Sequence, residues 1–205
     1  MSPHKWNIKA PYLRSEAIWQ RAEEFRAKYV SGSELPINIL EIAEFDLGLE
    51  FVPVKDLRRL ADISSFLAFD RTKVMIDLDE FLQERFEKRL RFTVAHEVGH
   101  YVLHPDVYQH VEINSVEDWL EFQQTIPYRE YTFMETHANE FAGRLLVPLG
   151  PLRAKFTEAA ALLNDTEYGI DDPAAISYMA EWIGKDFGVT EQVIARRLRN
   201  ERIAG

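Results

Sequence analysis

Apolar residues recur at helical spacing over most of this chain. Ile18, Trp19, Ala22, Phe25 and Tyr29 share one face of a predicted helix over residues 15–30. Ser15 is its candidate cap, and Ser31-Gly32-Ser33 ends it. Pro36 opens a shorter predicted helix bearing Ile37, Leu40, Ile42, Ala43 and Phe45, which Gly48 stops. The period then changes. Residues 49–54 read as a strand, with Pro53 favouring an edge or a strand end. Residues 66–69 and 73–78 read as two more strands, with Asp70-Arg71-Thr72 as the turn between them.

Helical spacing returns near residue 80. Asp77 or Asp79 caps a long predicted helix that runs to His104 and stops at Pro105. Asp77 and Glu80 stand at capping-box spacing. Phe81, Leu82, Phe86, Leu90, Val94, Val98 and Val102 supply its apolar positions. A short helix over 116–126 turns Trp119, Leu120 and Phe122 inward. Another over 128–147 carries Phe133, Ala138, Phe141, Ala142, Leu145 and Leu146, and Pro148 closes it. Residues 151–163 form a further amphipathic segment, and 164–173, rich in Asp, reads as a linker. Helices over 174–186 and 190–200 follow. The expected fold class is therefore α+β and mostly helical, with a small antiparallel or mixed sheet. The expected division is 1–163, then a helix-turn-helix-like pair in 164–205 packed on it.

Composition narrows the function. Of 205 residues 46% are hydrophobic, enough for a real core, and the net charge is 24 − 34 = −10. An acidic surface argues against broad nonspecific binding to nucleic acid or anionic membrane. With no cysteine, disulfides, thiolate metal sites and cysteine nucleophiles are excluded. Any metal must be held by His, Asp or Glu. The first six residues lack the apolar core of a secretory signal, and no apolar run is long enough to span a bilayer, so the cytoplasm is the expected compartment.

One pentapeptide carries candidate chemistry. In His96-Glu97-Val98-Gly99-His100 the histidines are four apart, so both project from one side of a helix and can reach one ion. Glu97 can sit over that ion and take a proton from water. Gly99 costs roughly 1 kcal/mol against Ala inside a helix, which a close approach of another backbone would explain. A zinc hydrolase needs a third protein ligand. Asp106 stands six residues after His100, where one large class of such enzymes has histidine. His104 lies about 12 Å along a straight helix from His96, too far to share the ion. It reads as a helix-end residue bonding last-turn carbonyls, or alternatively as a contact to a ligand or to substrate. Glu135 is the preferred third ligand. Asn139, four residues on, can bond the other ring nitrogen of a ligand histidine, and Ala138 is small enough for the two helices to meet. Glu140 and His137 are competing ligands on other faces. Tyr128, Tyr131 and His137 are candidate oxyanion or substrate contacts by position. An edge strand beside the metal would let a substrate peptide add as a further strand.

Residues 91–104, Arg-Phe-Thr-Val-Ala-His-Glu-Val-Gly-His-Tyr-Val-Leu-His, resemble the RFTLAHELGHxxLH block of the ImmA/IrrE family of zinc metallopeptidases. Residues 135–148, Glu-Thr-His-Ala-Asn-Glu-Phe-Ala-Gly-Arg-Leu-Leu-Val-Pro, resemble that family's ExEANxFAxxLLMP block. The departures are His137 for Glu, Gly143 for Ala and Val147 for Met. The resemblance extends from about residue 15 to the C-terminus and is weakest over 105–130. It implies a zincin-like fold, zinc on His96, His100 and Glu135, Glu97 as general base, and a helix-turn-helix repressor protein as substrate. In that family such cleavage releases genes of mobile elements or stress responses.

The C-terminal pair permits another class of function. Arg196, Arg197, Arg199 and Arg202 make the last helix basic, able to touch phosphates. A DNA-associated regulator with a structural metal, and a non-catalytic module that binds a repressor, are the alternatives. Glu97 favours catalysis, because a structural site needs no base.

Overall fold

The computed structural model describes residues 8–30, 32, 34–162 and 172–203. Two crossed helices form its centre. Helix α5 (Glu87–Leu103) packs along helix α8 (Tyr128–Leu146), and helix α1 (Ser15–Tyr29) lies on the other side of α8. Met134, Ala138, Phe141, Ala142 and Leu145 recur at spacings of three and four along α8 and are all buried. Burying each large apolar side chain contributes about 1.5–3 kcal/mol, so this stripe fixes the rotation of α8 about its axis. On α5 the buried Leu90, Val94, Ala95 and Val98 do the same.

Before α5 come α2 (Ile39–Glu41), which runs into a π-turn at Ile42–Asp46, then β1 (Glu50–Val54), α3 (Leu57–Ala61), β2 (Ser65–Leu67) and β3 (Lys73–Asp77). The sheet has the order β1-β3-β2, with β1 parallel and β2 antiparallel to β3. Pro53 falls on β1, an edge strand, where its missing N–H leaves no gap in a central ladder. Strand β2 forms the other edge and packs against α5. After α5 follow α6 (Pro105–Tyr108), α7 (Val116–Thr125), α8, α9 (Leu149–Leu162), α10 (Pro173–Phe187) and α11 (Glu191–Asn200). The fold is α+β, mostly helical, with a small mixed sheet and a C-terminal helical pair.

Several expectations change in detail. Arg14, not Ser15, is the cap residue of α1, with no side-chain bond. Pro36 lies outside its helix, whose N-cap is Asn38. The long helix expected over 80–104 is broken: α4 (Leu78–Leu82) and a 3₁₀ turn (Glu84–Phe86) precede α5, and Gln83 adopts an extended conformation. Asp77 does cap α4, accepting from the Asp79 and Glu80 N–H groups. Glu80 does not complete a capping box, because its carboxylate turns inward to Thr93 and Arg89. Helix α3 was not anticipated. Helix α7 carries a full capping box between Ser115 and Asp118. Residues 164–171 of the expected linker lie outside the described residues.

The C-terminal pair packs through α10 on α9 and through α11 on α8. Gly188 (φ +61) turns the chain between α10 and α11, and a Cβ there would meet Arg91 Nε at 2.8 Å and Pro36 Cβ at 2.9 Å. Arg197 is 2% exposed; it bonds the Val147 carbonyl and pairs with Glu201. Glu201 also pairs with the buried Arg144 at 2.7 Å, which joins α11 to α8. The alternative in which a basic α11 touches phosphates loses Arg197, because that guanidinium is held inward. No helix among the described residues is long and apolar enough to cross a membrane.

Candidate metal centre and catalytic cleft

Helix geometry assembles the site from two elements. On α5, Thr93, His96, Glu97 and His100 share the face that lines a cavity of about 240 Å³. Opposite stands Glu135 of α8. The helices meet closely because Gly99 has no side chain: a Cβ there would lie 3.0 Å from Ala138 Cα and 3.1 Å from its carbonyl oxygen. The close backbone approach expected at Gly99 is thus supplied by Ala138.

At that crossing His96 Nε2 lies 3.0 Å from His100 Nε2 and 3.4 Å from Glu135 Oε2. His100 Nε2 lies 3.3 Å from Glu135 Oε1. Ligand atoms about 2.0–2.1 Å from a tetrahedral ion stand about 3.3–3.4 Å from one another. Three lone-pair donors at such separations repel unless a cation or protons lie between them. Two imidazoles and a carboxylate therefore fit a divalent ion such as zinc. Burial opposes charge on Glu135, but the hydrogen bonds and charges of His100 and His96 hold its carboxyl well below the usual range. Burial likewise opposes protonation of His96, yet Glu135, with smaller contributions from Glu97 and Asn139, raises its pKa. The centre draws positive charge.

Around these groups the structure places the other candidates. Asn139 Oδ1 lies 3.3 Å from His96 Nδ1. The His104 ring does not bond last-turn carbonyls; it is fully buried between His100 and His137. Burial, followed by the neighbouring His100 and His137, lowers its pKa to about 2, so it is neutral at ordinary pH. His137 is buried, with its pKa also lowered by burial. Neither it nor Glu140 joins the three converging ligands; Glu140 accepts from Trp19 Nε1 and Asn200 Nδ2. Tyr131 lines the cavity, whereas Tyr128 is 85% exposed and lies outside the lining. Burial and then the Glu135 charge push the Tyr131 pKa up to about 12, which keeps the phenol protonated as a donor.

Several lining residues were not anticipated, four of them with specific contacts or buried positions. Ser65, at the start of edge strand β2, donates to Glu97 Oε1 at 2.5 Å. Tyr108 is buried in the lining, and burial pushes its pKa well up. Trp119 stacks on Phe66 of β2. Arg89 pairs with the buried Glu80 at 2.8 Å and donates to Ser64 Oγ at 3.1 Å. Glu80 in turn accepts from Thr93 Oγ1, so this network ties Ser64, just before β2, and α4 to α5 beside the Ser65–Glu97 bond. No periodicity points to Ser65, 32 residues before its partner.

Residues 81–199, more than half of the chain, match the family model Peptidase_M78, described as the IrrE N-terminal-like domain. The match starts inside α4, so α1 and the sheet precede it. No curated protein matches significantly.

Proposed function

The chain belongs to the IrrE N-terminal-like peptidase family, and from that premise we propose that it is a zinc-dependent endopeptidase whose substrate is a helix-turn-helix transcriptional repressor. A repressor substrate implies action in the cytoplasm. The observation that carries the reading is the convergence of His96, His100 and Glu135 on one point with Glu97 beside it, at the wall of a cavity. His96, His100 and Glu135 would hold the ion. Zinc held there supplies Lewis acidity towards water and the scissile carbonyl.

The remaining chemistry belongs to the protein. Glu97 takes the proton of the attacking water and later passes it to the leaving amine nitrogen. Ser65 fixes one oxygen of that carboxylate, leaving the other for proton transfer. The Tyr131 and Tyr108 hydroxyls, protonated and in the lining, are candidate donors to the developing oxyanion. Edge strand β2 offers backbone groups to an extended peptide beside Glu97, up to Phe69, whose N–H bonds the Ile113 carbonyl. Residues 1–163 act as the peptidase unit, and 164–205 brace it.

The test begins with metal. Protein purified without added zinc should carry about one zinc per chain, lost with a chelator. Incubated with the repressor encoded beside it, the wild type should cleave that repressor. Glu97→Gln should retain zinc and leave the repressor intact. Equal cleavage by both forms would remove Glu97 from the mechanism. A zinc-loaded, folded wild type that leaves that repressor whole would remove the proposed substrate.

A further inference from the structure

Two buried imidazoles stand behind the converging ligands with no part in the chemistry above. His104 ends α5, its backbone N–H bonded to the His100 carbonyl at 3.1 Å. Its Nδ1 lies 3.1 Å from His100 Nδ1, and its Nε2 lies 3.3 Å from His137 Nδ1. The His137 ring meets His104 edge to edge (centroids 5.6 Å apart, planes 21° apart), and it lies parallel to Phe133 (6.1 Å, 2°). The edge-to-edge nitrogen contacts and the neighbouring Phe133 ring thus set the angles of both rings.

Hydrogen-bond counting then gives the row a direction. A neutral imidazole has one N–H donor and one acceptor nitrogen. If His100 offers its Nε2 lone pair to a metal, its proton must be on Nδ1, which donates to His104 Nδ1. The His104 proton is then on Nε2 and donates to His137 Nδ1. The His137 proton is in turn on Nε2. No other set of neutral tautomers satisfies both contacts while His100 faces the metal through Nε2. Reversing His104 would set two N–H groups against each other and leave a buried donor unpaired.

We infer that His104 and His137 are positioning residues for the metal, a two-imidazole relay that locks His100 in the tautomer and ring angle in which Nε2 faces Glu135. The inference rests on the proposed function, which makes His100 a ligand. It assigns α8 three contributions at alternate positions: Glu135 as ligand, Asn139 behind His96, and His137 at the far end of the His100 relay. His96 is steadied by a single amide, His100 through two rings.

Two measurements test it. Histidine ¹⁵N spectra of the zinc-loaded wild type should show His104 and His137 both protonated at Nε2. Zinc affinity, read by chelator competition, should fall about 10- to 100-fold in His104→Leu, the usual cost of losing such a partner. His104→Asn, whose side-chain oxygen can accept from His100 Nδ1, should recover most of that loss. A zinc-loaded wild type with His104 protonated at Nδ1, or a His104→Leu protein binding zinc as tightly as wild type, overturns the relay alone. A wild type that binds no zinc overturns the proposed function and the relay with it. If His104→Leu does not fold, the tautomers of the wild type decide.

Discussion

The contact between Ser65 and Glu97 separates positioning the base from supplying it. A 2.5 Å bond from a hydroxyl holds one oxygen of a carboxylate that is 2% exposed. Hydrogen bonds to charged groups are worth about 1.5–3 kcal/mol. Ser65→Ala should therefore lower kcat by on the order of 10- to 100-fold, with KM and zinc content nearly unchanged, as steady-state kinetics and metal analysis would show. Glu97→Gln should remove turnover altogether. The two variants differ because one loosens the base and the other removes its proton-accepting ability. A Ser65→Ala protein with wild-type kcat would reduce the bond to a packing detail.

At the scale of elements, the crossing of α5 and α8 decides whether the ligands meet. Gly99→Ala would gain helix propensity of about 1 kcal/mol. The added methyl would also press on Ala138 backbone atoms 3.0–3.1 Å away, and overpacking of that kind costs about 1–3 kcal/mol. Since backbone cannot swing aside as a side chain does, separation of the helices is the expected outcome. The variant should show a lower thermal midpoint and weaker zinc binding, the latter because Glu135 moves with α8. A rise in both would mean that the crossing has slack. This junction was legible in the sequence: His96 and His100 repeat at one helical turn, as do Glu135 and Asn139, and a mid-helix glycine called for a close neighbour. The break at Gln83 was not legible, because neither Pro nor Gly marks it and tertiary packing sets it. Ser65 and Tyr108 reach the cleft through strand placement and a short helix, which local periodicity does not encode. For His104 the preferred carbonyl contact failed and the alternative contact to His100 holds, because His137 approaches from another helix and the ring turns to the two imidazoles.

For the whole molecule, the Glu201 carboxylate holds α11 against α8. It lies between Arg144 and Arg197, both buried. Removing one partner of a buried ion pair costs about 3–5 kcal/mol, since charge is left uncompensated. Glu201→Ala should lower the free energy of unfolding by about that amount, measured by urea titration. Because α8 carries Glu135, zinc affinity should fall as well. The inward course of Arg197 also weakens the case for α11 as a DNA reader. A mobility-shift assay at low salt should show no binding that depends on Arg197, and a shift abolished by Arg197→Ala would reopen that reading.

Those long-range braces also set an order in time. A chain made from its N-terminus delivers Glu97 and both imidazoles well before Glu135, and Glu135 well before Glu201. Until residue 201 is free to fold back, Arg144 and Arg197 lack their shared counter-charge and α8 lacks α11. During synthesis α5 therefore meets β2, α2 and α4 before the helix that carries Glu135 arrives. On the proposed function, competence to cut protein is expected only after the segment that braces α8 has emerged.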